Sequence, residues 1–88
     1  MLDTEAPERF HYRGADDEGN RWFFEVVPSD GELVVVKQIE IEEGGHAHRY
    51  SWEHMDDDHG FLTDQELCPD EDQLEAITPE EFLNAWTA

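Results

Sequence analysis

The stretch from Gly44 to Gly60, G-G-H-A-H-R-Y-S-W-E-H-M-D-D-D-H-G, gathers four histidines and four carboxylates into seventeen residues. Imidazole nitrogen and carboxylate oxygen together suit Zn, Fe, Mn or Ni. His46 and His48 stand two apart on an expected strand and so share a face, and Glu53 follows five residues after His48. His46, His48 and Glu53 are therefore the candidate ligands of a small metal-binding module or metal-dependent enzyme. Asp56-Asp57-Asp58 misses the Ca loop pattern, which needs alternating ligands, a central Gly and a closing Glu. Flanked by Glu53 and Asp64, the three Asp instead form the densest negative patch outside the amino-terminal tail. With Trp52 beside them, Glu53, Asp56, Asp57, Asp58 and Asp64 make a candidate surface for a protein partner.

Little else in the chain offers chemistry. Thr4, Ser29, Ser51, Thr63 and Thr78 sit in no nucleophile-elbow setting. Cys68 lies beside Pro69 among carboxylates, which raise a thiol pKa and quiet it as a nucleophile. There is no Gly-rich phosphate loop, and an acidic field repels phosphates. The spacing H-x-H-x4-E-x6-G resembles the first metal motif of the cupins. In that motif a Gly precedes the first His by six residues; here the position is Glu40. No His follows His59, and the 28 residues after Gly60 are too few to complete a double-sheet jelly roll, so a cupin is excluded.

Charge is the dominant property. Twenty-four Asp and Glu face one Lys and four Arg, for a formal net charge of −19. Such a density exceeds what solubility needs and repels itself, so folding should be weakest in low salt. It has three uses: imitation of a phosphate array, steering toward a basic partner such as a nuclease or toxin, or solvation in a salty cytoplasm. Direct nucleic-acid binding is the option it argues against. A lone Cys68 allows no internal disulfide, which fits a reducing cytoplasm. The start, M-L-D-T-E-A-P-E, has neither the basic region nor the apolar core of a signal peptide, and no apolar run reaches membrane-span length. A soluble cytoplasmic protein without cofactor is expected.

The elements that must position these residues follow from periodicity. Residues 1–8 read as an acidic tail and 9–88 as one domain. R-F-H-Y-R (9–13), R-W-F-F-E-V-V (21–27), L-V-V-V-K-Q-I-E-I (33–41) and H-A-H-R-Y-S-W (46–52) are strands, separated by turn-rich A-D-D-E-G-N, P-S-D-G and E-E-G-G. Alternation puts Leu33, Val35, Ile39 and Ile41 on one face. It likewise groups His46, His48, Tyr50 and Trp52, either half-buried under a helix or as an exposed aromatic face. An acidic connection with a short apolar strand near Phe61 and Leu62 follows, and 69–77 reads as a loop or single helical turn. Thr78-Pro79-Glu80-Glu81 orders an N-cap, a first-turn Pro and a capping-box Glu. Phe82, Leu83 and Trp86 then form an apolar stripe that must dock on the sheet.

The segment I-T-P-E-E-F-L-N-A-W, preceded at a distance by K-Q-I-E-I, resembles a group of small uncharacterised bacterial domains that end in an Ile-Thr/Ser-x-Glu-Glu-Phe-x-x-x-Trp helix after a short antiparallel sheet. The resemblance covers about fifteen residues of structural character. It implies an α+β domain: a three- to five-stranded antiparallel meander with a short carboxy-terminal helix packed on one face. Domains of this kind are suspected immunity proteins, so it further implies a non-enzymatic inhibitor of a basic toxin, nuclease or nucleic-acid-binding effector. A phage anti-defence protein that mimics nucleic acid would use the same occlusion by carboxylates.

Overall fold

The computed structural model describes residues 9–63 and 66–88, so the expected tail (1–8) and Asp64 lie outside the described residues. The chain is α+β. Five strands form one antiparallel sheet: β1 (Phe10–Ala15), β2 (Arg21–Ser29), β3 (Glu32–Ile41), β4 (Ala47–Ser51) and β5 (Glu75–Ile77). Their order is β4-β3-β2-β1-β5, a four-stranded meander with β5 added on the outer edge of β1. The helix α1 (Pro79–Thr87) closes the chain. β5 falls at the end of the segment expected to be a loop or helical turn, and it forms because His11, Tyr12 and Arg13 leave an open edge for Ile77, Ala76 and Glu75. The apolar strand expected near Phe61 and Leu62 reduces to one isolated bridge, Asp56 to Phe61.

The turns behave as their composition dictates. Asp30 and Gly31 both take positive φ (54° and 83°), the combination that a two-residue hairpin between Ser29 and Glu32 requires. At the β1–β2 turn the Asp16 carboxylate accepts from the Glu18 and Asn20 amides at 2.9 and 3.0 Å.

A β-bulge at Glu25/Val26 changes the reading of β3. Glu25 pairs with Lys37 but Val26 pairs with Val35, so one residue of β3, Val36, is passed over. Side-chain parity reverses there. Leu33 and Val35 therefore pack on one face of the sheet with Val26 and Tyr50, as does Gln38 beyond the bulge, while Ile39 and Ile41 turn to the other. The uniform face expected from strict alternation is in fact split between two cores.

The first core lies under the irregular segment that follows β4. Leu62 and Leu67 are buried there against Val26, Val35 and Tyr50, flanked by Tyr12, Phe24, Leu33 and Leu74. The second lies under α1. Thr78 caps the helix, accepting from the Glu81 amide at 3.1 Å, and Pro79 opens it. Phe82 is buried, its ring 5.1 Å from His11, and stacks toward Trp86 one turn on. Leu83 does not join the expected stripe. It is exposed, because it stands about 100° round the helix from Phe82.

Arginine and lysine hold the helix in place. The last turn of α1 contains no basic residue, and Arg49 of β4 supplies one from outside. Its guanidinium donates to the carbonyls of Trp86 (2.5 Å) and Ala88. Lys37 sits 5.1 Å over the Trp86 ring. Arg9 and Lys37 flank the buried Glu25 at 2.6 and 3.9 Å, and Arg13 reaches Glu75 and Glu81 at 2.9 and 3.4 Å.

His11 gives this face a pH dependence. Burial, more than any nearby charge, lowers its imidazole below the usual value. A depressed folded-state pKa contributes stability that is complete above the unfolded value near 6.5 and declines as pH falls toward the folded value. Thermal melts between pH 7 and 5 should therefore fall more steeply for the native chain than for His11→Phe, which keeps the ring against Phe82. Parallel curves for the two proteins would contradict the assignment.

Candidate functional site

The acidic segment after β4 is pinned to the sheet by three side chains. Gln38, buried on β3, donates to the Phe61 carbonyl at 3.2 Å and accepts from the Thr63 amide at 3.0 Å. Tyr50, fully buried on β4, donates its hydroxyl to Asp57 at 3.0 Å. His59 reaches back to Glu40 of β3 at 3.0 Å. Gly60 eases the close approach: a Cβ there would stand 3.3 Å from the Tyr50 hydroxyl oxygen, which would have to give by a few tenths of an ångström.

These ties redistribute the roles expected for the three consecutive Asp. Asp57 spends its carboxylate on the loop itself, accepting from the His59 and Gly60 amides at 2.8 and 3.0 Å as well as from Tyr50. The Gly60 amide above all, with the His59 amide and the Tyr50 hydroxyl, holds its carboxyl down to about 2. Burial, then the hydrogen bond to Asp57 and its charge, push the Tyr50 phenol up to about 12. All three Asp are exposed, but Asp57 organises the loop through these bonds. Trp52 and Glu53 are exposed as well, but they stand at the β4 edge, where they line a groove with Arg9, Lys37 and Trp86 on the helix side. The expected contact surface is therefore divided around the edge of the sheet, with Asp64 outside the described residues.

The expected aromatic face H-x-H-x-Y-x-W also divides. His48 and Tyr50 do share a side, opposite Glu40 and Gln38, but it is the side away from the helix. Trp52 leaves the strand in a turn closed by the pairing of Ser51 with His54. It is 62% exposed.

The ligand set His46, His48 and Glu53 is not assembled. Glu53 lines the helix-side groove, and His46 stands just before β4 begins, with its ring 4.6 Å from His48. A different set converges: Glu42, His48 and His59, whose donor atoms lie within 4.8 Å of one another. His48 Nε2 is 2.5 Å from Glu42 Oε2, and that hydrogen bond lowers the Glu42 pKa. His59 Nδ1 is 3.8 Å from the same oxygen, and the His48 and His59 rings are parallel, 3.6 Å apart. Sequence spacing could not find this set, because the pairing of β3 with β4 and the return of the 54–60 loop bring together residues 17 apart, Glu42 and His59.

Charge is sorted by the sheet. Register places Arg13, Arg21, Lys37 and Arg49 on the helix side, and the ion pair with Glu25 puts Arg9 there as well. Four of them are engaged there in the ion pairs and helix contacts described above. The other side carries Glu40 and Glu42 and is covered by residues 54–63 and 66–74, which include no Lys or Arg. These residues also expose large apolar side chains, Met55 at 52% and Phe61 at 62%. Phe61 is outward because Leu62, its neighbour, fills the core. Spacing in the sequence marked neither as surface.

The surroundings of Cys68 disfavour its thiolate. Burial, then Glu66, Glu71 and Asp72, raise its thiol. No helix among the described residues is long and apolar enough to cross a membrane. The chain matches no family model, no curated protein and no solved structure.

Proposed function

We propose that this protein is a non-enzymatic acidic inhibitor that neutralises a basic partner, a toxin, nuclease or nucleic-acid-binding effector, by electrostatic occlusion. An immunity protein or antitoxin, and a phage anti-defence protein, would all work in this way. The observation that carries the reading is the segregation of charge: the basic residues lie on the helix side, four of them engaged in ion pairs and helix contacts, and the opposite side is left with no Lys or Arg to offset its carboxylates. Uncompensated carboxylates on one side of a small domain present a field like that of phosphates, which speeds encounter with Arg- and Lys-rich surfaces. Asp56 and Asp58 supply charge, and Phe61 and Met55, with Trp52 at the edge, supply the apolar contact that slows dissociation.

The test takes the full chain against purified nucleases and nucleic-acid-binding proteins from the same genome, with duplex DNA as competitor. One of them should bind with an affinity that falls as salt rises and be displaced by DNA. Asp56→Asn with Asp58→Asn should slow association about tenfold or more. Phe61→Ala or Trp52→Ala should speed dissociation at least about tenfold. Binding that ignores salt and survives these changes sinks the reading. So does a panel whose members bind no better than polylysine, and unfolding at low salt would then leave solvation as the use of the charge.

A further inference from the structure

We propose that Glu42, His48 and His59 form a binding site for one divalent transition-metal ion, with Zn the test case, and that the ion fastens the acidic loop to the β3–β4 hairpin. Each donor comes from a different place: Glu42 from the residue after β3, His48 from β4, and His59 from the loop held by Asp57. Two imidazoles and a carboxylate are a ligand set used by zinc and by first-row metals generally, and three protein ligands leave a position open for water.

The orientation of His59 sets this cluster apart from a chance group of polar side chains. Its Nε2 bonds Glu40 at 3.0 Å, and Glu40 is largely buried by the loop. The tautomer that donates its ring proton to that carboxylate has its Nδ1 lone pair on the side of Glu42 and His48. A carboxylate behind a histidine is the recurrent support of metal-bound imidazole, fixing its tautomer and raising its basicity. His48 likewise aims Nε2 at Glu42.

The donor atoms lie within 4.8 Å of one another, and the His48 and His59 rings, parallel and 3.6 Å apart, must turn out of their stack to face a common ion. Metal–donor bonds of about 2.0–2.2 Å in tetrahedral geometry separate neighbouring donors by roughly 3.3–3.6 Å. The Glu42 oxygen stands 2.5 Å from His48 and 3.8 Å from His59, so a small rotation of the Glu42 carboxylate opens one distance and closes the other. A cation also suits the field, since Glu40, Glu42 and Asp57 surround the site and no Lys or Arg shares that side of the sheet. The inference is independent of the partner reading and stands if that reading fails.

The experiment titrates the full chain, purified without a His tag, with Zn(II) by calorimetry and with Co(II) by visible absorption. One equivalent should bind, Co(II) should show the intense bands of a tetrahedral or five-coordinate site, and the melting temperature should rise with metal. His59→Ala, His48→Ala and Glu42→Gln should each abolish stoichiometric binding. Glu40→Gln should weaken it about 10- to 100-fold. His54→Ala, a histidine of the same loop outside the cluster, should leave it intact. Absence of saturable binding in the native chain overturns the site, as does binding that His59→Ala spares or that His54→Ala reduces equally. Glu42→Gln keeps the side chain's shape, so its result stands even if a histidine variant folds poorly.

Discussion

Replacing Tyr50 with alanine is expected to cost about 3–5 kcal/mol of folding stability, the range for deleting a large buried aromatic side chain. A small domain is stable by only about 5–15 kcal/mol, so the variant should be partly unfolded at room temperature. Tyr50 is fully buried beside Val26, Val35, Leu62 and Leu67, and its hydroxyl is one of three donors to Asp57. The substitution thus opens a cavity under the acidic segment and releases a tie that shapes it. Tyr50→Phe separates the two effects. It keeps the ring and should cost only about 0.5–1.5 kcal/mol for the lost hydrogen bond. Urea unfolding of the three proteins measures both, and a loss below about 1 kcal/mol for Tyr50→Ala would refute the packing described here.

Phe82→Ala should have a comparable effect, about 3–5 kcal/mol, through the opposite face. Nine residues cannot hold a helix in water without tertiary contacts, and Phe82 is the one buried side chain that α1 contributes. With its ring gone, His11 loses its aromatic neighbour, and Trp86 with its Lys37 contact loses the packing that positions it. Hydrogen exchange at residues 82–87 should accelerate more than exchange in β2 and β3. Leu83→Ala, at an exposed position of the same helix, should change stability by less than about 0.5 kcal/mol. Equal effects at positions 82 and 83 would mean that the helix docks by another face.

The helix and the strands were largely legible for local reasons. The order Thr78-Pro79-x-Glu81 encodes a cap within four residues, and runs such as Trp22–Val27 encode strands by their β-branched and aromatic content. β5 was not legible, because Glu75–Ile77 has no strand signature and pairs only where β1 offers an edge. Strict alternation along β3 failed for a related reason. A bulge is set by the partner strand, and passing over Val36 sends Val35 and Ile39 to opposite cores although their spacing puts them on one face.

The candidate sites divide along the same line. Sequence by itself determined the charge of −19, the absence of Lys and Arg after Arg49, the concentration of histidine near β4 and the α+β class, because these depend on composition and short-range pattern. Tertiary structure alone decided that the five cations share one face and that Asp57, alone of the three exposed Asp, is tied to Tyr50 and the loop amides. It also exchanged Glu53 and His46 for Glu42 and His59 beside His48. The physical reason is common to all three. Which side chains meet depends on strand register and on where a loop returns, and both are fixed by burying Tyr50, Leu62 and Leu67 together rather than by the residues that carry the chemistry.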